Sequence, residues 1–178
     1  MRHFALTAVG RDRPGIVAGI TAVLLAHEVN VEDSQMTILR GHFTMMLIVA
    51  VSDDIADADL ADDLRAVGEE LDLEHLTIAG VDELGVPDEP DPSHIVSVYG
   101  ADHPGIVHAV SSALAERGIT ITDLHTRLVG ADDEPLYALM MEVAIPADSE
   151  SEVENALAAA GAAQGVEVTV RPLEADAL

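Results

Sequence analysis

The chain has 178 residues, 33 of them acidic and eight basic, for a formal net charge of −25, and every basic residue is arginine. That balance opposes direct binding to DNA, RNA or anionic lipid, which depends on concentrated positive charge; it reads instead as a solubilising surface, in keeping with a halophilic or GC-rich source. The absence of cysteine excludes disulfides, thiolate metal sites and a cysteine nucleophile, and the longest apolar run, Met45 to Val51, is far too short to span a bilayer.

The N-terminus, Met1-Arg2-His3-Phe4, leads straight into patterned sequence without the apolar stretch of a signal peptide, so a cytoplasmic location is expected. Phe4 to Val9 reads as a short apolar strand. Pro14 then opens a helix, as proline does at a first helical position, and Ile16, Val17, Ile20, Val23 and Leu24 recur at helical spacing as one buried stripe. Strands follow from Val31 to Leu39 and from Phe43 to Val51, joined by Arg40-Gly41-His42. A second helix is expected from Ala56 to Leu71 and a last strand from Leu73 to Val81.

The same order then repeats. Gly10-Arg11-Asp12-Arg13-Pro14-Gly15-Ile16-Val17 matches Gly100-Ala101-Asp102-His103-Pro104-Gly105-Ile106-Val107 at constant offset, and Val29 to Asp33 matches Ile119 to Asp123. Four extra residues enter near Gly130 to Pro135, after which Phe43 aligns with Tyr137 and Val51 with Ile145. So long a self-match is a duplication. In the second copy a strand is expected over Ile95 to Tyr99, a helix stripe at Ile106, Val107, Val110 and Leu114, a helix from Ser149 to Ala160 and a strand from Val166 to Pro172. Between the copies, Gly85 to Ser93 carries three prolines and three acids, the composition of a semi-extended linker. The organisation is therefore module one over 1–84, linker over 85–93 and module two over 94–178.

Strand, helix, strand, strand, helix, strand is the split βαβ, or ferredoxin-like, arrangement. The predicted fold is α+β: two βαββαβ modules, each an antiparallel sheet with strands one and three central and both helices on one face. Along strand three neither Phe43/Met45/Leu47/Val49 nor Thr44/Met46/Ile48/Ala50 is strongly polar. Something is therefore expected to cover the sheet face turned away from the helices, either the other module or a second chain.

The duplicated turn is the candidate site. Gly10 and Gly100 let the backbone bend or a ligand approach closely. Asp12 and Asp102 stand at the helix start, and Gly15 and Gly105 present backbone N–H groups with no side chain in the way. Free N–H groups at a helix N-terminus attract an anion, and a neighbouring carboxylate attracts a cation. The pair suits a zwitterion, and free amino acids are the common ones. The same residues also fit a purely structural role, because aspartate is a preferred N-cap and can bond those N–H groups itself.

The G-x-D-x-P-G-I-V junction within a βαββαβ pattern resembles the ACT domain, a small-molecule-sensing module. The tandem layout, with Glu32-Asp33-Ser34-Gln35-Met36 in strand two and Gly41-His42-Phe43 before strand three, is similar to the glycine cleavage system regulatory protein family. The resemblance implies modules paired side by side through their first helices, a homo-oligomer with a dimer favoured, and an amino acid bound at the pairing interface. Carried over by position, the first-turn contacts are Asp12, Arg13, Pro14, Gly15 and Ile16, and Asp102, His103, Pro104, Gly105 and Ile106. The partner-strand contacts fall at Asn30, Val31, Thr120 and Ile121. The copies differ, since Arg11 and Arg13 flank Asp12 whereas Ala101 and His103 flank Asp102, so the two sites are not expected to be equivalent.

Other chemistry is weaker. His103 and His108 are badly spaced for one helical face, and zinc needs three or four convergent ligands. Ser111, Ser112, His108 and Asp123 have the residue types of a hydrolase triad but no nucleophile elbow. Met36, Met45, Met46, Met140 and Met141 serve as core or interface filler. The expectation is a non-enzymatic amino-acid sensor, with no metal or cofactor, acting through a protein partner (a regulator or an enzyme) and touching neither nucleic acid nor membrane. The alternative is a ligand-independent accessory subunit of a metabolic enzyme.

Overall fold

A computed structural model describes residues 1–81, 91–129 and 136–173. The chain divides into two compact units, Met1–Val86 and Pro87–Leu178. Most of the expected linker and the four-residue insertion lie outside the described residues. The first unit runs β1 (Arg2–Arg11), α1 (Ile16–Ala26), β2 (Asn30–Leu39), β3 (His42–Val51), α2 (Asp57–Glu70) and β4 (Leu73–Val81). The second runs β5 (His94–Ala101), α3 (Ile106–Ala115), β6 (Thr120–Val129), β7 (Leu136–Ala144), α4 (Glu150–Gln164) and β8 (Glu167–Pro172). Each is an α+β module with one antiparallel sheet, ordered β2-β3-β1-β4 and β6-β7-β5-β8. The first and third strands of each module are central, as right-handed crossovers require.

Alternation along the central strands fixes which face is dry. In the first module Leu6 and Ala8 from β1 and Phe43, Met45, Leu47 and Val49 from β3 bury against Ile16, Ile20 and Leu24 of α1 and Leu60 and Leu64 of α2. In the second, Val96, Val98, Leu139, Met141 and Val143 meet Ile106, Val110, Leu114, Val153 and Leu157 in the same way. The helical stripe is narrower than its sequence suggests, because Val17 remains 42% exposed. On the sheet face opposite the helices, Met46 and Met140 are 48% and 46% exposed.

Local geometry explains the connections. Arg40 and Gly41 both take left-handed φ, 50° and 83°, as a two-residue type I′ hairpin between right-twisting strands requires. The register of β2 on β3 shifts between Val31 and Asp33, and that of β6 on β7 between Ile121 and Asp123. Each shift is a bulge that inserts one residue after the start of the strand. The second helices start one residue later than predicted, and α4 runs on to Gln164, four residues beyond the predicted end, before Gly165 closes it with φ 64°. Among the described residues no helix is long and apolar enough to cross a membrane.

Candidate functional site

Each module leads its first strand into the same turn. Proline does not open the helix, as the sequence suggested: α1 begins at Ile16 and α3 at Ile106, and the N-cap positions are Gly15 and Gly105. Both glycines are left-handed, with φ 101° and 108°, a conformation that costs an L side chain free energy. A Cβ at Gly15 would meet nothing within 4 Å, so φ rather than crowding demands glycine there. Neither helix has a side-chain cap, so Asp12 and Asp102 are not the N-caps that their residue type permits. The first amides of each helix lie ahead of the bonds Gly19 N–H to Gly15 O and Ala109 N–H to Gly105 O, and no side chain caps them.

The glycine before each turn serves a different purpose from the one its position suggested. A Cβ at Gly100 would stand 2.5 Å from Val166 Cγ1 and 3.1 Å from Val166 Cα, and at Gly10 the neighbours are Leu73 Cδ2 at 2.9 Å and Leu73 Cα at 3.2 Å. The backbone approaches closely to Leu73 at the start of β4 and to Val166 just before β8.

Arg13 and His103 are also placed by structure rather than left in solvent. Arg13 Nη2 donates to the carbonyl of Glu70, the last residue of α2, at 3.2 Å. His103 Nε2 lies 2.8 Å from the carbonyl of Gln164, the last residue of α4. Neither helix has a basic residue of its own in its last turn, and in each module a side chain of the turn reaches the helix's last carbonyl instead. His103 Nδ1 also faces the Pro104 carbonyl, at 3.1 Å. Two carbonyl acceptors suit a ring with two N–H donors. The His103 pKa is accordingly raised above the usual imidazole value, first by the Pro104 carbonyl and then by that of Gln164, with the Asp102 charge adding to them.

In the second module residues 102–108 and Tyr137 line an open cleft of about 660 Å³. Asp102, His103, Pro104, Gly105 and Ile106 are thus brought together. Val107, His108 and Tyr137 join them, although none of the three stood among the expected contacts. Tyr137 is opposite Gly100 in the strand register, as Phe43 is opposite Gly10. The alignment of Tyr137 with Phe43 was the available signal. Burial pushes the Tyr137 phenol up, the nearby Asp102 charge adds to that, and Thr126 counteracts it by hydrogen bonding.

Asn30, Val31, Thr120 and Ile121 are not brought to the turn of their own module. Arg11 pairs with His42 and Asn30 with Ala50, so the two groups sit at opposite ends of β3. Ala101 pairs with Leu136 and Thr120 with Ala144, which gives the same separation in the second module. At about 3.4 Å per residue the gap is roughly 27 Å, beyond the span of any single amino acid.

The hydrolase arrangement does not assemble. Ser112 Oγ is 3.4 Å from His108 Nδ1, and the carboxylate of Asp123 pairs with His125 at 3.0 Å instead. Among the described residues no three His, Asp or Glu converge as a metal site.

Comparison with known proteins agrees with this geometry. The family model described as "ACT domain" matches residues 2–86 and again 94–171. A UPF0237 protein of Methanopyrus kandleri is 43% identical over 75 residues, 42% of this chain and 83% of that protein. The glycine cleavage system transcriptional repressor of Escherichia coli is 27% identical over 154 residues, 86% of this chain and 79% of the repressor. The phosphoserine phosphatase SerB2 of Mycobacterium tuberculosis is 28% identical over 93% of this chain, which spans only 39% of the phosphatase. The crystal structure of an unknown protein from Galdieria sulphuraria superposes with a TM-score of 0.76 at 28% identity, covering 97% of this chain and 98% of that one. With both modules matched by the one model, the chain belongs to the ACT domain family as a tandem pair homologous to the glycine cleavage system repressor.

Proposed function

We propose that this chain is a non-enzymatic sensor of a free amino acid that passes its signal to a protein partner in the cytoplasm. One observation carries the reading: in both modules the first helical amides have no side-chain cap and lie beside an aspartate that does not bond them. A ligand carboxylate suits the amides and gains from the helix dipole. A ligand ammonium suits Asp12 or Asp102. The roughly 27 Å between each turn and the start of the second strand in the same module supports a site completed by a module of a second copy. Asn30, Val31, Thr120 and Ile121 then act across that interface, and ligand occupancy shifts the oligomer. Arg13 and His103 hold the turns in place.

One homologue is named as a transcriptional repressor. A net charge of −25 argues that any such output here runs through another protein rather than through DNA. Calorimetric titration of the full chain with each of the twenty amino acids tests the reading. At least one is expected to bind at millimolar concentration or below. No heat with any of them overturns the sensor and leaves the ligand-independent accessory subunit.

A further inference from the structure

The two turns share a backbone, but the walls around them differ at three side chains. His103 replaces Arg13, His108 replaces Ala18, and Tyr137 replaces Phe43. The first exchange conserves its role, since both side chains bond the last carbonyl of the second helix. The other two change the chemistry of the cleft. Phe43 is 2% exposed and belongs to the core. Tyr137 occupies the same register position, opposite a glycine that puts no side chain against its ring, yet it is only partly buried and forms part of the cleft wall. His108 joins it, with Nδ1 3.4 Å from Ser112 Oγ.

Resting on the amino-acid reading above, we infer that the Tyr137 hydroxyl makes the second module's cleft selective for amino acids with hydrogen-bonding side chains, and that the first module lacks this selectivity. A phenol carries one donor and an acceptor. Tyr137 lines a cleft whose other walls include Pro104, Ile106 and Val107. An apolar ligand side chain placed there strips water from the hydroxyl and returns no bond, whereas a hydroxyl or amide replaces the lost water. Sites that hydrogen-bond a ligand group discriminate against the isostere lacking it far more strongly than apolar pockets discriminate by size. In the first module the corresponding residues are Phe43, buried in the core, and Ala18, and neither offers such a group.

The test is Tyr137→Phe, which gives the second cleft the ring of the first, titrated as the full chain beside the wild type with all twenty amino acids. The isosteric pair threonine and valine, and the pair serine and alanine, which differ by the hydroxyl alone, serve as internal controls. In the wild type the polar member of each pair is expected to bind about five- to tenfold more tightly than its apolar partner, the worth of one neutral hydrogen bond. Tyr137→Phe should remove that preference by weakening the polar member alone. A preference that survives Tyr137→Phe, or a loss shared equally by both members, overturns the inference while leaving the amino-acid reading intact. Apolar amino acids that bind tightly in the wild type and lose that binding with Asp102→Asn, and so occupy the second cleft, overturn it as well. No binding by any amino acid in the wild type removes the amino-acid reading and this inference with it.

Discussion

Alanine at Gly100 is expected to destabilise the second module by about 1–3 kcal/mol, the range for forcing an extra methyl into a packed core. Propensity points the other way, because Gly→Ala at a compatible position gains roughly 0.4–1 kcal/mol by restricting the unfolded chain. Packing decides the sign. The new Cβ would stand 2.5 Å from Val166 Cγ1 and 3.1 Å from Val166 Cα. Backbone cannot rotate aside, so β8 must move off β5 or the turn must shift. Gly80→Ala is the matched control: its Cβ meets only Phe4 Cε1, at 3.9 Å, an ordinary contact. Urea denaturation of the two variants should therefore show a clear drop in midpoint for Gly100→Ala and little change for Gly80→Ala. Equal midpoints would refute the close-packing role given to the glycine before the turn.

Asp102→Asn is expected to weaken amino-acid binding at the second module by about ten- to a hundredfold, the loss of one charge-assisted hydrogen bond of roughly 1.5–3 kcal/mol. Asparagine keeps the shape of aspartate and removes the charge that holds the ammonium. Folding should be unaffected, because Asp102 caps no helix. Asp12→Asn makes the equivalent change at a turn whose flanking residues, Arg11 and Arg13, differ from Ala101 and His103. Calorimetry on the two variants reports how the modules divide the work. Wild-type affinity in both single variants and in the double variant would show that neither carboxylate holds the ligand.

Most of the fold can be read from the sequence because its determinants are local or periodic. The repeat placed twelve elements in order, and the lack of a strongly polar face along Phe43 to Val51 fitted a central strand. What escaped reading depends on backbone conformation or on distant residues. Aspartate, proline and glycine in the turn are compatible with an Asp cap and a helix starting at Pro14. Only the left-handed φ of Gly15 and Gly105 moves the cap to glycine and leaves the amides without one. The partner of Arg13 lies 57 residues away, and that of His103 lies 61. No local pattern signals such a bond. Tyr137 was visible as the counterpart of Phe43, but its place in the cleft wall follows from strand register, which sets it opposite Gly100. The duplicated turn itself was legible. Gly15 and Gly105 set its backbone, and Arg13 and His103 tie it to the last carbonyl of the second helix in each module.

The central claim is that one amino acid touches a turn and a strand end that no single module brings together. Amide NMR of the full chain during titration with the tightest-binding amino acid tests this most directly. The account predicts that Gly105 and Ile106 in the turn and Thr120 at the start of β6 all shift and saturate at the same ligand concentration, despite the roughly 27 Å between them within one module. Shifts confined to one of these two places, or absent from both while other amides respond, would contradict it.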